Sequence, residues 1–222
     1  MPRPPGHGPG YEVKRQEIID AAADLFGKKG YAATGIAEIG KAAGLAKGAL
    51  YYYIGSKENL LVEIQARVLT PLLTSAKEIA ALDEDPVVRL RLLSETLLDM
   101  IFRRLDHIWV YEHDYRQLRG ANKSRLKRQR GQFEQIVQDL LVEAMDSGAF
   151  RTMNPRIAVL QFLNMHNHTY QWVRPNGPWD AAYLSREYCA TLFSGFRSES
   201  YDLSDLEDRV AKFRDRNAPA ET

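Results

Sequence analysis

The sequence predicts an all-α protein in which short, tightly connected helices are followed by longer ones. Almost every readable segment repeats apolar residues at the helical period, and no segment alternates polar and apolar residues between hairpin turns. Helix start and stop signals separate the periodic segments. Together these observations predict ten helices, near residues 12–29, 36–43, 47–53, 57–80, 86–104, 107–119, 122–147, 155–173, 179–197 and 203–215.

The first helix is predicted from a single apolar stripe. Its members have the i, i+4, i+7, i+8 spacing of one buried helix face and are Ile18, Ala22, Leu25 and Phe26. Gly30 is expected to end this helix, because glycine readily adopts the backbone conformation that follows many helix C-termini. Residues 1–10, rich in proline and glycine, are predicted to form a disordered arm.

The stretch IAEIGKAAGLAKGALYYY is predicted to form two short helices joined by a tight turn. Gly44 can supply the positive φ that such a turn needs. Two short helices joined in this way have the spacing of a helix-turn-helix. With the preceding helix they make a three-helix domain, predicted at 11–56.

The fourth helix is predicted to start after Ser56, whose hydroxyl can cap it, and to open a larger helical domain at 57–222. Pro71 interrupts this helix, because proline lacks an N–H and clashes with the preceding turn. The proline either marks a simple helix boundary or forms a joint between two domains, and the sequence leaves both alternatives open.

The later helices are predicted mainly from their starts. Asp85-Pro86 and Asn154-Pro155 each combine a capping side chain with proline at the first helical position. Ser204 to Glu207 has the pattern of a capping box. The sequence RPNGPWD is expected to end the helix that starts at Pro155.

The composition favours an ordinary globular protein and excludes several classes. The chain of 222 residues has a formal net charge of +1 and a single cysteine, which rules out an internal disulfide. The N-terminus lacks the apolar core of a signal peptide, and no apolar run is long enough to span a bilayer. A cytoplasmic location with no membrane contact is therefore expected.

The three consecutive tyrosines Tyr51, Tyr52 and Tyr53 point to a binding surface. Side chains of successive helical residues lie about 100° apart, so one or two of these rings must face outward. Lys47 at the helix start and the small Gly48 would suit a nucleic-acid groove and its phosphates. The alternative is a small helical hairpin whose tyrosines fill gaps at a domain interface.

Residues 14–61 resemble the DNA-binding domain of the TetR family of bacterial repressors. The resemblance rests on IIDAAADLFGKKGYAATGIAEIGKAAGLAKGALYYYIGSKENLL, which carries nearly every anchor of the family pattern. It implies a homodimer that binds a palindromic DNA operator. It also implies DNA contacts at the start of the second helix, along the third and at the start of the fourth: Thr34, Gly35, Lys47, Gly48, Tyr51, Tyr52, Tyr53 and Lys57.

Three positions depart from that family pattern. Ala46 stands where the family usually has serine or threonine, Tyr53 where histidine is frequent, and Ile54 where an aromatic residue is usual. Loss of the N-cap forgoes about 0.5–2 kcal/mol of helix stability. These departures leave the groove-facing architecture in place.

The most unusual later stretch is LQFLNMHNHTYQWVRPNGPWD, an apolar helix that becomes polar and aromatic. Asn164, His168 and Trp172 share one side of it. They either belong to a polar network in a dimer interface or line a ligand pocket. The family resemblance implies dimerisation through the helices near 155–173 and 179–197, so both alternatives can apply to different faces.

The same stretch resembles, more loosely, a TetR branch that controls fatty-acid or steroid breakdown and responds to acyl-CoA thioesters. The basic run at 116–130 is compatible with the CoA phosphates, although a solvated helix face is the simpler interpretation. The aromatic and polar segment at 107–118 suits a ligand wall or core packing. The candidate effector-binding residues are Trp109, His113, Arg116, Arg119, Asn164, His168 and Trp172.

Catalytic and metal-binding motifs are weak in this sequence. It has no HExxH motif, no Glu-x-x-His pair and no glycine-rich phosphate loop. His166 and His168 project roughly 200° apart on a helix and make a poor metal pair. The predicted function is thus a ligand-responsive transcriptional regulator, without a cofactor or metal. A helical enzyme and a DNA-binding protein without an effector remain the alternatives.

Overall fold

The computed structural model describes residues 9–174 and 176–216. Within these ranges the chain is helical and has no β-strand, which confirms the all-α prediction. The α-helices are α1 (Pro9–Lys29), α2 (Ile36–Ala42), α3 (Lys47–Ile54), α4 (Lys57–Ala80), α5 (Pro86–Arg103), α6 (Leu105–His113), α7 (Gly120–Asp146), α8 (Pro155–Asn167), α9 (Ala181–Phe196) and α10 (Leu206–Arg216). Short 3-10 turns at Tyr115–Gln117 and His168–Gln171 follow α6 and α8.

The helix ends agree with several predicted signals and differ from others. The Ser56 hydroxyl accepts the Asn59 amide at 3.0 Å, and the Asn154 side chain accepts the Ile157 amide at 3.2 Å. The predicted capping box is not formed, since the Ser204 hydroxyl donates instead to Asp202 and α10 starts later. Residues 1–8 of the predicted arm lie outside the described residues, and its last two residues already belong to α1.

The chain forms two compact units. The first contains the described residues up to Thr70 together with Arg104–Arg128, and the second contains Pro71–Arg103 and the described residues from Gln129 onward. The division inside α4 falls at Pro71, within one continuous helix. The compact units therefore differ from the predicted domains 11–56 and 57–222, because the first half of α4, α6 and the start of α7 pack with the N-terminal helices.

The first unit is built around α1. Buried residues of this helix include Ile18, Ala22 and Phe26, as its apolar stripe predicts. Helices α2, α3 and α6 all pack against α1. The side chain of Gln65 in α4 donates a hydrogen bond to the Val110 carbonyl in α6 at 3.2 Å, which fixes α6 to α4 within this unit.

The second unit is built around α5, which is buried on nearly all sides and packs most extensively against α9. Its apolar core also includes residues of α4, α7, α8 and α10. No helix of the described chain is long and apolar enough to cross a membrane.

A chain of polar groups crosses this second core. Arg91 of α5 is fully buried, and its guanidinium donates to both Glu207 oxygens at 2.9 and 3.2 Å and to the Ser185 hydroxyl at 2.7 Å. Ser185 donates to Ser94 at 2.7 Å, and Ser94 lies 2.6 Å from His166 Nε2. Because unpaired buried polar groups are costly, these bonds stabilise the packing of α5, α8, α9 and α10.

The His166 ring completes that chain in its neutral form. Its Nδ1 lies 2.7 Å from the Phe162 carbonyl oxygen, so Nδ1 donates and Nε2 accepts from Ser94. Burial lowers the pKa of His166 to about 4. Ser94 already accepts from Ser185 and can donate its own proton to Nε2, so the hydrogen bonds and the pKa agree on the neutral ring.

Candidate nucleic-acid interface

Helix α3 presents one exposed face. Leu50 and Ile54, one helical turn apart, are buried against the first unit's core. Lys47 and Gly48 are exposed, and Tyr52 is 62% exposed. Tyr51 is also on the exposed side, so two of the three consecutive tyrosines face outward, as helical geometry predicts.

The third tyrosine, Tyr53, is less exposed and supports Tyr52. The ring of Tyr53 stacks on Tyr11 of α1 with centroids 4.8 Å apart and planes at 23°. Tyr52 meets both rings edge-on, with centroids 5.4 Å from Tyr53 and 5.7 Å from Tyr11. This aromatic cluster holds the Tyr52 phenol on a rigid stem at the surface of α3.

The turn between α2 and α3 fixes the angle of that surface. Gly44 has φ of 67°, and the Leu45 amide donates to the Gly40 carbonyl oxygen at 2.8 Å. A Cβ on Gly40 would lie 2.8 Å from the Leu45 carbonyl oxygen, closer than real contacts of this kind. Both glycines are therefore required by the geometry, and only Gly44 was singled out from the sequence.

The predicted contacts at the start of α2 differ in exposure. Gly35 is exposed directly before the helix, whereas Thr34 is only 1% exposed. The Thr34 hydroxyl donates to the Gly30 carbonyl at 2.9 Å. Thr34 thus stabilises the turn after α1, and Gly35 is the residue of this pair that is exposed to solvent.

Lys57 is turned toward the protein in this structure. Its ammonium donates to the Tyr31 carbonyl oxygen and lies 4.2 Å from the centroid of the Tyr31 ring. Burial lowers the pKa of Lys57. A contact between Lys57 and a DNA phosphate would therefore require the side chain to swing outward.

Four of the predicted effector residues lie in the first unit. Trp109 and His113 of α6 stack with centroids 4.2 Å apart, and His113 Nδ1 lies 2.9 Å from the Trp109 carbonyl oxygen. Arg116 and Arg119 are exposed, and the Arg116 guanidinium lies 5.6 Å from the Tyr115 ring centroid. The structure therefore brings Trp109 and His113 together and leaves the two arginines at the surface.

The other three predicted effector residues lie in the second unit, in two separate places. Asn164 and His168 line a hollow of about 890 Å³ between α8 and α9. Trp172 lines a smaller hollow of about 230 Å³ together with Arg174 and Trp179. A third hollow of the second unit, about 770 Å³ between α4, α5, α9 and α10, contains none of the predicted residues.

The sequence patterns describe the histidine pair correctly but give no role to one buried arginine. His166 is buried in the core, whereas His168 is exposed, so the two rings point apart as predicted. Arg91 has no predicted role, although a charged residue inside the apolar run VVRLRLL indicates a buried ionic contact. Within the described chain no cluster of histidine, cysteine or carboxylate residues is suited to hold a metal ion.

Two family profiles match the chain. The profile of bacterial regulatory proteins of the tetR family matches residues 18–64, and the profile of the tetracyclin repressor-like C-terminal domain matches residues 83–196. The chain belongs to the TetR family. The first match contains the whole helix-turn-helix, and the second extends from the start of α5 to the end of α9. As a TetR regulator, the protein is a DNA-binding transcription factor rather than an enzyme.

Individual TetR proteins match almost end to end. The transcriptional repressor KstR2 of Rhodococcus jostii is 26% identical over 199 residues, covering 89% of this chain and 98% of that protein. The TetR regulator PfmR of Thermus thermophilus has a TM-score of 0.75 at 28% identity, covering 82% of this chain and 99% of that chain. AibR, solved with isovaleryl coenzyme A and operator DNA, has the same fold at a TM-score of 0.73 and 23% identity, covering 81% and 98%.

Proposed function

We propose that this protein is a homodimeric repressor that binds a palindromic operator and is released by a small hydrophobic effector. The observation that carries the proposal is the exposed face of α3, where Lys47, Gly48, Tyr51 and Tyr52 lie on one short helix supported by a buried second side. A helix of this kind fits the major groove, with lysine and tyrosine contacting phosphates. Gly35, with Thr34 behind it, and Tyr53 and Lys57 flank this face.

The DNA contacts are tested by removing two of them together. Lys47→Ala with Tyr52→Ala should weaken binding to DNA from upstream of the gene, measured by fluorescence anisotropy. Losing one lysine per head should also reduce the salt slope of a dimer by about two. Lys212→Ala, an exposed lysine of α10, is the control and should leave both quantities unchanged. Unchanged binding by the double variant would contradict the assignment.

The dimer is proposed to form through the outer faces of α8 and α9. Ile157 is 52% exposed, and Leu160 of α8 and Tyr183 of α9 are also exposed. These side chains would leave water if two copies associated through α8 and α9. Leu160→Glu should therefore produce a monomer in light scattering and weaken operator binding. Val13→Glu, which alters an exposed apolar residue of α1, should remain dimeric.

The effector is proposed to be an acyl-CoA thioester, the ligand class seen with AibR. Trp172 and Trp179 offer flat apolar surfaces, with ring centroids 6.1 Å apart, and Arg174 lines the same hollow. An aromatic ring beside a guanidinium suits a nucleobase that carries phosphates. Asn164 and His168 remain candidates within the second unit, and Trp109, His113, Arg116 and Arg119 remain candidates within the first.

Titration with isovaleryl-CoA and longer acyl-CoA thioesters tests the effector class directly. At least one thioester should bind and reduce operator affinity, whereas free coenzyme A should do so weakly. Trp172→Ala should lose the response to thioester and keep its DNA affinity. If this variant still releases DNA on addition of thioester, Trp172 contributes to packing and not to effector binding.

A further inference from the structure

Tyr31, in the turn between α1 and α2, connects three elements of the first unit. Its backbone N–H donates to Asp114 Oδ2 at 3.1 Å, and its carbonyl oxygen accepts the Lys57 ammonium. Asp114 directly follows α6, and Lys57 is the first residue of α4. Both polar groups of the Tyr31 backbone are thus held by charged side chains from different helices.

This junction lies beside the proposed DNA contacts. The turn that contains Tyr31 continues through Thr34 to Gly35, and Lys57 is itself one of the residues expected to contact phosphate. Asp114 is 8% exposed, so water screens the charge of its carboxylate only weakly. A hydrogen bond from a backbone amide to a buried carboxylate is a charge-assisted bond, stronger than a neutral one.

We propose that Asp114 is a positioning residue for DNA binding, which fixes the turn at Tyr31 and keeps Lys57 turned inward until DNA is bound. The proposal rests on the proposed function, because it takes Lys57 to be a phosphate contact. Lys57 has two competing partners for its ammonium, the Tyr31 carbonyl oxygen and a phosphate. The negative charge of Asp114 on the protein side favours the first.

The titration behaviour of both groups agrees with this arrangement. Burial lowers the pKa of Lys57, and the Asp114 charge opposes that change. Burial likewise raises the pKa of Asp114, whereas the Tyr31 amide, His113 and Lys57 all favour its charged form. Each ion therefore helps to keep the other charged in a partly desolvated site.

The bond also joins two parts of the sequence. Tyr31 and Lys57 lie in the segment matched by the tetR DNA-binding profile, and Asp114 lies in the segment matched by the C-terminal profile. A displacement of the end of α6 would thus reach the DNA-contacting turn through one hydrogen bond and one charge. This route does not pass through Pro71.

Two substitutions of Asp114 separate its roles. Asp114→Asn keeps an oxygen that can accept the Tyr31 amide but removes the charge. We expect it to melt slightly below the wild type, since a neutral oxygen is a weaker acceptor than a carboxylate. It should bind operator about threefold to tenfold more tightly with a similar salt slope, since Lys57 contacts phosphate in both complexes and only the cost of turning it outward is lower. Asp114→Ala leaves the Tyr31 amide unsatisfied, and should melt at a lower temperature and bind operator more weakly.

Two controls separate an effect on operator affinity that acts through Lys57 from the general effect of removing a negative charge. Asp106→Asn removes an exposed acid from α6 and should change affinity less than twofold, because water screens its charge. In a Lys57→Ala background, Asp114→Asn should have no effect on affinity or slope. Equal gains from Asp114→Asn and Asp106→Asn, or a gain that persists without Lys57, would overturn the proposal.

A measurement without DNA distinguishes this proposal from the function on which it rests. Trace acetylation of the free protein, quantified by mass spectrometry, should modify Lys57 more slowly than the exposed Lys47 in the wild type. Asp114→Asn should raise the relative labelling of Lys57 at least threefold. If labelling rises but the wild type binds no upstream DNA, Asp114 does keep Lys57 turned inward, but the proposed DNA-binding function is wrong. Unchanged labelling would show that Asp114 does not keep Lys57 turned inward.

Discussion

The substitution Gly40→Ala tests whether the α2–α3 turn is as tight as the structure indicates. The added Cβ would lie 2.8 Å from the Leu45 carbonyl oxygen and 3.7 Å from Leu50 Cδ2. The nearest atom belongs to the backbone, so relief requires the turn itself to move. The backbone of Gly40 has negative φ, and alanine could otherwise replace it without strain.

The expected loss of stability is the difference between two effects. Overpacking against a backbone atom costs about 2–3 kcal/mol, the upper part of the usual range, and replacing glycine within a helix returns about 1 kcal/mol. A net loss of about 1–2 kcal/mol should lower the melting temperature by about 2–8 °C in a protein of this size. Operator affinity should fall as well, because the displaced turn rotates α3.

Gly48→Ala is the matched control, since it makes the same change one helix later. A Cβ at Gly48 would meet no described atom within 4 Å. Calorimetry should therefore show an unchanged or slightly higher melting temperature, whereas anisotropy should show weaker operator binding because the methyl group occupies the DNA-facing surface. A Gly40→Ala protein that melts at or above the wild-type temperature and binds operator normally would refute the reasoning about the turn.

Three other predictions concern the second unit, the helix between the units and the response to pH. Pro71→Ala restores a helical hydrogen bond in α4 and should change release by effector more than DNA affinity without effector; equal changes would exclude a joint. Glu207→Gln leaves the buried Arg91 with less compensating charge and should lower the free energy of unfolding in urea by about 1–3 kcal/mol. The exposed Glu199→Gln should not lower it, and equal urea midpoints for the two variants would contradict this. Burial lowers the pKa of His107 and His166 to about 4, so the unfolded chain binds protons first as pH falls below about 6.5, and stability should drop by roughly 2 kcal/mol per histidine between pH 7 and pH 5. His107→Leu should remove about half of that dependence, and an unaltered pH profile would argue against it.

The helical framework follows from local sequence, because apolar spacing and capping side chains act within a few residues. Ser56 and Asn154 cap their helices as predicted for this reason. The break after His113 was not foreseen, since the segment keeps helical spacing through a 3-10 turn. The orientation of α3 likewise has a local origin, because Leu50 and Ile54 lie one turn apart and are buried together.

The finer geometry of the site depends on residues that are distant in the chain. Which tyrosine faces inward depends on Tyr11, 42 residues before Tyr53. The inward position of Lys57 depends on Tyr31 and Asp114, and no local pattern indicates that these residues meet. The requirement for glycine at position 40 arises from the approach of Leu45 after the turn, which becomes visible only when the angle between the two helices is known.

Helix α10 has a practical consequence for engineering hybrid regulators. The C-terminal family profile stops at residue 196, and a fusion that joins foreign sequence there would carry α5 without α10. The guanidinium at position 91 would then lose both oxygens of Glu207 while remaining enclosed by apolar side chains. Chimaeras and minimal sensor fragments of this protein should therefore be cut after Arg216, even though the family boundary suggests a shorter piece.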